Sequence, residues 1–184
     1  QRAQALDDRE LMVAAVTNSS DSLWWVSERL RQDREFVLYA ASQDEATVEG
    51  GHYMDMDSPL DALSQDLKED REVVMAFCKK IPGSLEFAPA FQDDREVVMA
   101  AIVCAEDGWA LDFASERLQD DEGVVMAAIE QEDCTDAIKF ASKRLRGDKD
   151  FILEAFERRL LWQVTDYLAS KLRDSIPFIC KIAR

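Results

Sequence analysis

The stretch DREVVM occupies residues 70–75 and returns unchanged at residues 94–99. Looser copies read DDRELMVAAV at 7–16, QDREFVLYAA at 32–41, DDEGVVMAAI at 120–129 and GDKDFILEAF at 147–156. Self-similarity at a nearly fixed spacing specifies an array in which each unit packs mainly on its neighbours. Counting from the residue three before each DRE-like aspartate, units begin at Ala5, Leu30, Leu67, Phe91, Leu118, Leu145 and Leu172. The spacing is nearly even except between Leu30 and Leu67, where the insertion makes the step longer by about 10–12 residues. Six units are complete, and a seventh supplies a first helix from Ser175 onward.

Each unit reads as two short helices. The first opens at the acid-rich turn, where Asp94 can cap free N–H groups and Glu96 suits the positive end of the helix dipole. VVMAAIVCA (97–105) follows, apolar on nearly every side, so this helix is expected to be buried all round. The alanine pairs 14–15, 40–41, 100–101 and 127–128 recur in it, small enough to let helix axes approach closely. Breaks such as Glu106-Asp107-Gly108 and Ile81-Pro82-Gly83 end it. The second helix is read in WALDFASERL (109–118), with Leu111, Ala114 and Leu118 on one stripe and Asp112, Glu116 and Arg117 toward water. SLWWVSERL (22–30) and DAIKFASKRL (136–145) keep that pattern, placing Trp25, Phe113 and Phe140 at one position. The expected fold is all-α: an α-solenoid of stacked two-helix repeats of about 24–27 residues, forming a single array over 1–184.

The phrases DREVVMAA and FASERL, recurring in register, resemble the short helical repeat known as domain of unknown function 4116, seen in bacteria, large DNA viruses and unicellular algae. The resemblance covers nearly the whole chain except residues 42–58 and FAPAF (87–91). It implies helical repeats and brings no established activity, so no catalytic residue is carried over.

Charge narrows the function classes. The net charge is −16. Residues 1–142 hold 12 Lys/Arg against 32 Asp/Glu, a balance of −20, whereas residues 143–184 hold 10 against 6, a balance of +4. A field of the first sign repels phosphate backbones and anionic headgroups, which excludes nucleic acid as a partner for most of the surface. No apolar run approaches the roughly 20 residues that span a bilayer. The first residues, QRAQALDDRE, lack an initiating Met and an apolar signal core, as expected of a processed end or a fragment boundary. Cys78, Cys104, Cys134 and Cys180 form no CxxC pair and no metal-ligand spacing. They read as reduced, mostly buried thiols of the cytoplasm or another reducing compartment.

Candidate chemistry is sparse. His52 is the single histidine, far in sequence from every Cys, which leaves neither a triad nor a zinc site. The pairs Asp7-Asp8, Asp93-Asp94 and Asp120-Asp121 recur at helix starts and read as caps rather than an acid–base couple. Asp55-x-Asp57 lacks the Gly and terminal Glu of a calcium loop, and no Gly-rich phosphate loop is present. No cofactor and no metal are expected. Trp24, Trp109 and Trp162 read as core or seam residues, with an interaction hot spot as the alternative.

The insertion SQDEATVEGGHYMDMDS (42–58) interrupts the array and mixes acids with aromatic and sulfur side chains. Its His52, Tyr53, Met54 and Met56, with Arg158 and Arg159 of the basic end, are the candidate partner-binding residues. The function read from the sequence is a non-catalytic protein-interaction scaffold or accessory subunit whose protein partner is basic or extended. Association end to end between the acidic and basic regions is a second contact mode. An acidic inhibitor imitating DNA is the alternative, and an enzyme is the reading with least support.

Overall fold

The computed structural model describes residues 8–18, 20–43, 58–104, 109–131 and 135–158. Among the described residues every regular element is helical, with no strand. Contacts within the chain divide it into two compact units, Gln1–Ala90 and Phe91–Arg184. The boundary falls in FAPAF, where the repeat pattern departs from its neighbours.

In the first unit, α1 (Arg9–Asn18) is followed by a 3-10 turn at Ser20–Trp24, α2 (Glu28–Arg31) and α3 (Arg34–Ser42). Beyond the insertion come a 3-10 turn at Pro59–Ala62, α4 (Gln65–Lys68), α5 (Arg71–Cys78) and a 3-10 turn at Pro82–Phe87. The second unit holds α6 (Arg95–Cys104), a 3-10 turn at Trp109–Leu111, α7 (Glu116–Gln119) and α8 (Glu122–Ile129). A 3-10 turn at Thr135–Phe140, α9 (Lys143–Gly147) and α10 (Lys149–Glu157) complete it.

The longer helices begin where the capping aspartates stand. Asp8, Asp33, Asp70, Asp94, Asp121 and Asp148 each accept one or two N–H groups of the first turn, at 2.9–3.3 Å. Each such cap contributes about 1 kcal/mol.

The amphipathic helix expected over 109–118 is instead two pieces. Its 3-10 turn ends at Leu111, and Ser115 is extended at φ −59°, ψ 154° before α7 begins. The reason lies outside the segment: the Ser115 N–H is given to the Gln92 carbonyl at 2.7 Å, so it cannot continue a local helical ladder. Ser142 does the same with Gln119 at 2.9 Å. The stripe survives the break, because Leu111, Ala114 and Leu118 are all buried.

α6 buries one side rather than all sides. In α6, Val97, Val98, Ala101 and Ile102 are buried, whereas Met99 and Ala100 are half-buried and Val103 is 61% exposed. Ala40, Ala128 and Ala155 are fully buried like Ala101, consistent with close helix contact at the alanine positions. Ser58 and Ser84, the buried polar residues among those described, satisfy each other through a hydroxyl contact of 2.7 Å.

Part of the shortening of the step from Leu67 to Phe91 has a local cause. Asp94 N–H bonds to Phe91 as Asp121 N–H bonds to Leu118, but Pro89 stands where Ser115 stands and one residue fewer separates it from the following anchor. A 3-10 turn at Pro89–Phe91 replaces the one-turn α-helix. Pro has no N–H, so the bond that Ser115 and Ser142 send to the preceding repeat has no donor there.

Candidate functional site

The recurring polar arrangement joins consecutive repeats. In the second unit Ser115 donates its hydroxyl to Asp93. Arg117 grips the same residue, Nε to Oδ1 at 2.9 Å and Nη2 to its carbonyl at 2.9 Å. The next repeat reproduces this: the Ser142 hydroxyl donates to Asp120, and Arg144 reaches the Asp120 carboxylate at 2.9 and 3.0 Å and its carbonyl at 2.9 Å. The two carboxylates of each acid pair therefore divide the work, Asp94 and Asp121 capping helices while Asp93 and Asp120 hold the next repeat. By sequence alone both read as caps; the signal that separates them is the Ser-x-Arg-Leu phrase following the acid pair at the repeat spacing.

The arginines of the DRE phrases form a second link. In the first unit Arg9 pairs with Asp33 at 3.4 Å and Glu35 at 3.7 Å. Arg34 pairs with Asp70 at 2.7 Å and also with Glu72. In the second unit Arg95 approaches Asp121 at 3.7 Å.

Hydrogen bonds from Ser115 and then Arg117 hold the Asp93 carboxyl below the usual carboxylate range. Ser142 and Arg144 do the same to Asp120, and Arg34 to Asp70. Groups of this kind are ionised acceptors at neutral pH rather than proton donors. Exposed ion pairs contribute little each, because solvent screens them. The buried leucines, Leu118 and Leu145 among them, supply most of the cohesion.

Aromatic contacts add a seam. Trp109 lies 6.0 Å from Phe140, centroid to centroid and tilted by 59°, and Lys139 sits over both rings at 5.4 and 4.8 Å. Trp24 is half-buried, whereas Trp25, at the repeat position of Phe113 and Phe140, is 74% exposed. Trp162 lies outside the described residues.

Of the candidate binding residues, His52, Tyr53, Met54, Met56 and Arg159 also lie outside the described residues. Arg158 is placed. Its guanidinium bridges Glu130 and Glu154 at 2.5 Å each, and those hydrogen bonds raise its pKa further. Cys78 is buried as expected, but Cys104 is exposed at the end of α6. Among the described residues no group of His, Cys, Asp or Glu is arranged to hold a metal ion, and no helix is long and apolar enough to cross a membrane.

A family model, described as Domain of unknown function (DUF4116), matches residues 8–45, 70–102 and 94–135. No curated protein and no solved structure matches the chain. The matched segments open on Asp8, Asp70 and Asp94, the aspartates that cap α1, α5 and α6. With the capping residue as the start of each match and more than half of the chain covered, the protein belongs to the DUF4116 family.

Proposed function

We propose that this chain is an α-solenoid acting as a non-catalytic protein-interaction module or accessory subunit of an assembly, with a basic or extended protein as its partner. The observation that supports the reading is the docking geometry of Ser115 and Arg117 on Asp93, repeated one unit later by Ser142 and Arg144 on Asp120. A contact that recurs at the sequence period propagates along an array and leaves long faces for a partner. Asp93 and Asp120 are engaged as acceptors, their carboxyls held below the usual range by Ser115 with Arg117 and by Ser142 with Arg144. The acidic balance of residues 1–142 favours a partner of opposite charge. Insertion residues Tyr53, Met54 and Met56 supply a second contact in this reading.

The test is capture of partners from the native source by the tagged full chain at low salt. The expected result is a protein recovered in fixed proportion and lost as salt rises, because exposed charges are screened over about 8 Å at physiological ionic strength. Deleting residues 44–57 is expected to weaken that capture without unfolding the chain. A chain that captures no protein at low salt overturns the proposal, and a compact spherical particle in small-angle scattering overturns its solenoid form.

A further inference from the structure

We propose that the edge of the first repeat, marked by Leu11 and Trp25, is a self-association surface that seats the basic terminal region (residues 143–184) of a second copy of this chain. The proposal rests on the array reading above and needs no foreign partner. Leu11 stands three residues after the capping Asp8 and is 50% exposed. The residues three after the other caps, Phe36, Val73, Val97, Val124 and Phe151, are all buried. Trp25 stands two residues before Ser27 and is 74% exposed. Ala62, Phe87, Phe113 and Phe140, at that repeat position, are half-buried. Two large apolar side chains are thus open in the first repeat at positions that are covered in the others. Val103 carries no such signal, because Thr17, Ser42, Lys79 and Glu130 at its repeat position are exposed as well.

The second unit shows what covers these two positions. Phe151 of α10 faces α8 of the preceding repeat, where it lines one cleft with Met126. Phe140 is met by Trp109 of the preceding repeat, 6.0 Å away between centroids, with Lys139 over both rings. At each position the neighbour on that side is another repeat. α1 is the first described helix, so Leu11 and Trp25 mark the side on which such a neighbour would stand. An edge of leucine and tryptophan lacks the polar outer face that closes a repeat array. Charge selects the occupant. Residues 1–142 carry a balance of −20 and residues 143–184 one of +4, and the exposed Glu10 and Glu28 lie near Leu11 and Trp25 in sequence. An open indole also accepts a stacked Lys or Arg, as the Trp109 ring accepts Lys139. The contact joins unlike surfaces, first repeat to terminal region, so it is heterologous and does not close on two copies.

The test is sedimentation velocity of the full chain over a wide range of concentration. At low salt the mean mass is expected to rise with concentration, pass that of two chains, and fall back as salt is raised. Leu11→Glu and Trp25→Glu, both at exposed positions, are expected to keep the circular dichroism of the parent and to stay at the mass of one chain. Val103→Glu, an equal change at a position open in every repeat, is expected to associate as the parent does. Added to the parent, the Trp25→Glu variant is expected to lower the mean mass, because its terminal region still binds while its edge accepts no further copy. A chain that stays single at every concentration overturns the proposal. So does an association that stops at two copies, that survives both edge variants, or that Val103→Glu abolishes equally. A single chain that still captures a foreign protein sinks the edge and leaves the interaction reading standing. A chain that associates through Leu11 and Trp25 yet captures no other protein upholds the edge and sinks the interaction reading.

Discussion

Ser142 gives its hydroxyl to the carboxylate of Asp120 and its main-chain N–H to the carbonyl of Gln119, just as Ser115, one repeat earlier, does to Asp93 and Gln92. Each serine also caps the one-turn helix that follows it, accepting the N–H of Leu145 at 3.2 Å or Leu118 at 3.3 Å. One hydroxyl thus starts a helix and ties it to the preceding repeat.

Replacing either serine by alanine should therefore cost about 1 kcal/mol in urea unfolding, the ordinary cost of a lost N-cap. Ser64 occupies the same repeat position but accepts no capping hydrogen bond. Ser64→Ala is expected to move stability by under about 0.5 kcal/mol. Equal losses at all three sites would show that position, not hydrogen bonding, sets the cost.

Acid should loosen the molecule. The carboxyls of Asp70, Asp93 and Asp120 are held below the usual range in the folded chain by Arg34, by Ser115 with Arg117, and by Ser142 with Arg144. A depressed folded-state pKa adds stability that is fully present above the unfolded value, near 3.9, and is lost as pH falls through the folded value. The urea midpoint should be level between about pH 7 and 5 and fall below about pH 4. An Asp93→Asn/Asp120→Asn variant should show a shallower fall; a fall of equal depth would assign the acid sensitivity to other carboxylates.

Two substitutions test the faces of the repeat. Ala101 is fully buried in α6, so Ala101→Glu places an unpaired charge in the core and should destabilise by several kcal/mol, about 3 or more. Glu116 is exposed at the start of α7, and Glu116→Ala should change stability by less than about 0.5 kcal/mol. Thermal melts that rank the two the other way would reverse the assignment of inner and outer sides.

Gly123 stands in the first turn of α8, where the DRE phrases carry glutamate. A Cβ there meets the Arg95 Nη2 at 3.1 Å and the Asp121 Oδ1 at 3.3 Å. The first contact is the far end of a flexible side chain whose exposed ion pair contributes little, so it can yield. Gly123→Ala should raise stability by about 0.5 kcal/mol through lower unfolded-state entropy. A lower melting temperature would mean that the Asp121 cap, not Arg95, had given way.

The repeat, the capping role of the DRE aspartates and the buried stripe Leu111, Ala114 and Leu118 were legible in the sequence. Each rests on local chemistry: a short acceptor before a helix, or apolar residues at a spacing that puts them on one side. The first-turn caps of Asp94 and Asp121 reach only the next few N–H groups, so the order of residues alone determines them. The candidate site was less legible. Arg158 read as a cation free for a partner, yet it bridges Glu130 and Glu154, the first of which lies a full repeat away in sequence.

What the tertiary structure decided is where main-chain and side-chain groups go when a distant partner competes with a local one. Ser115 could have continued a helix through 109–118, but its N–H is spent on Gln92, so the segment breaks and a new turn begins. Asp93 could have shared in capping α6, but Ser115 and Arg117 reach it from the next repeat. Val103 sits in a run apolar enough to be buried all round, yet it is 61% exposed. A period reports which residues recur; it does not report which of two acceptors, one nearby and one a repeat away, a recurring donor meets, because that choice depends on the packing of apolar anchors such as Leu118 and Leu145.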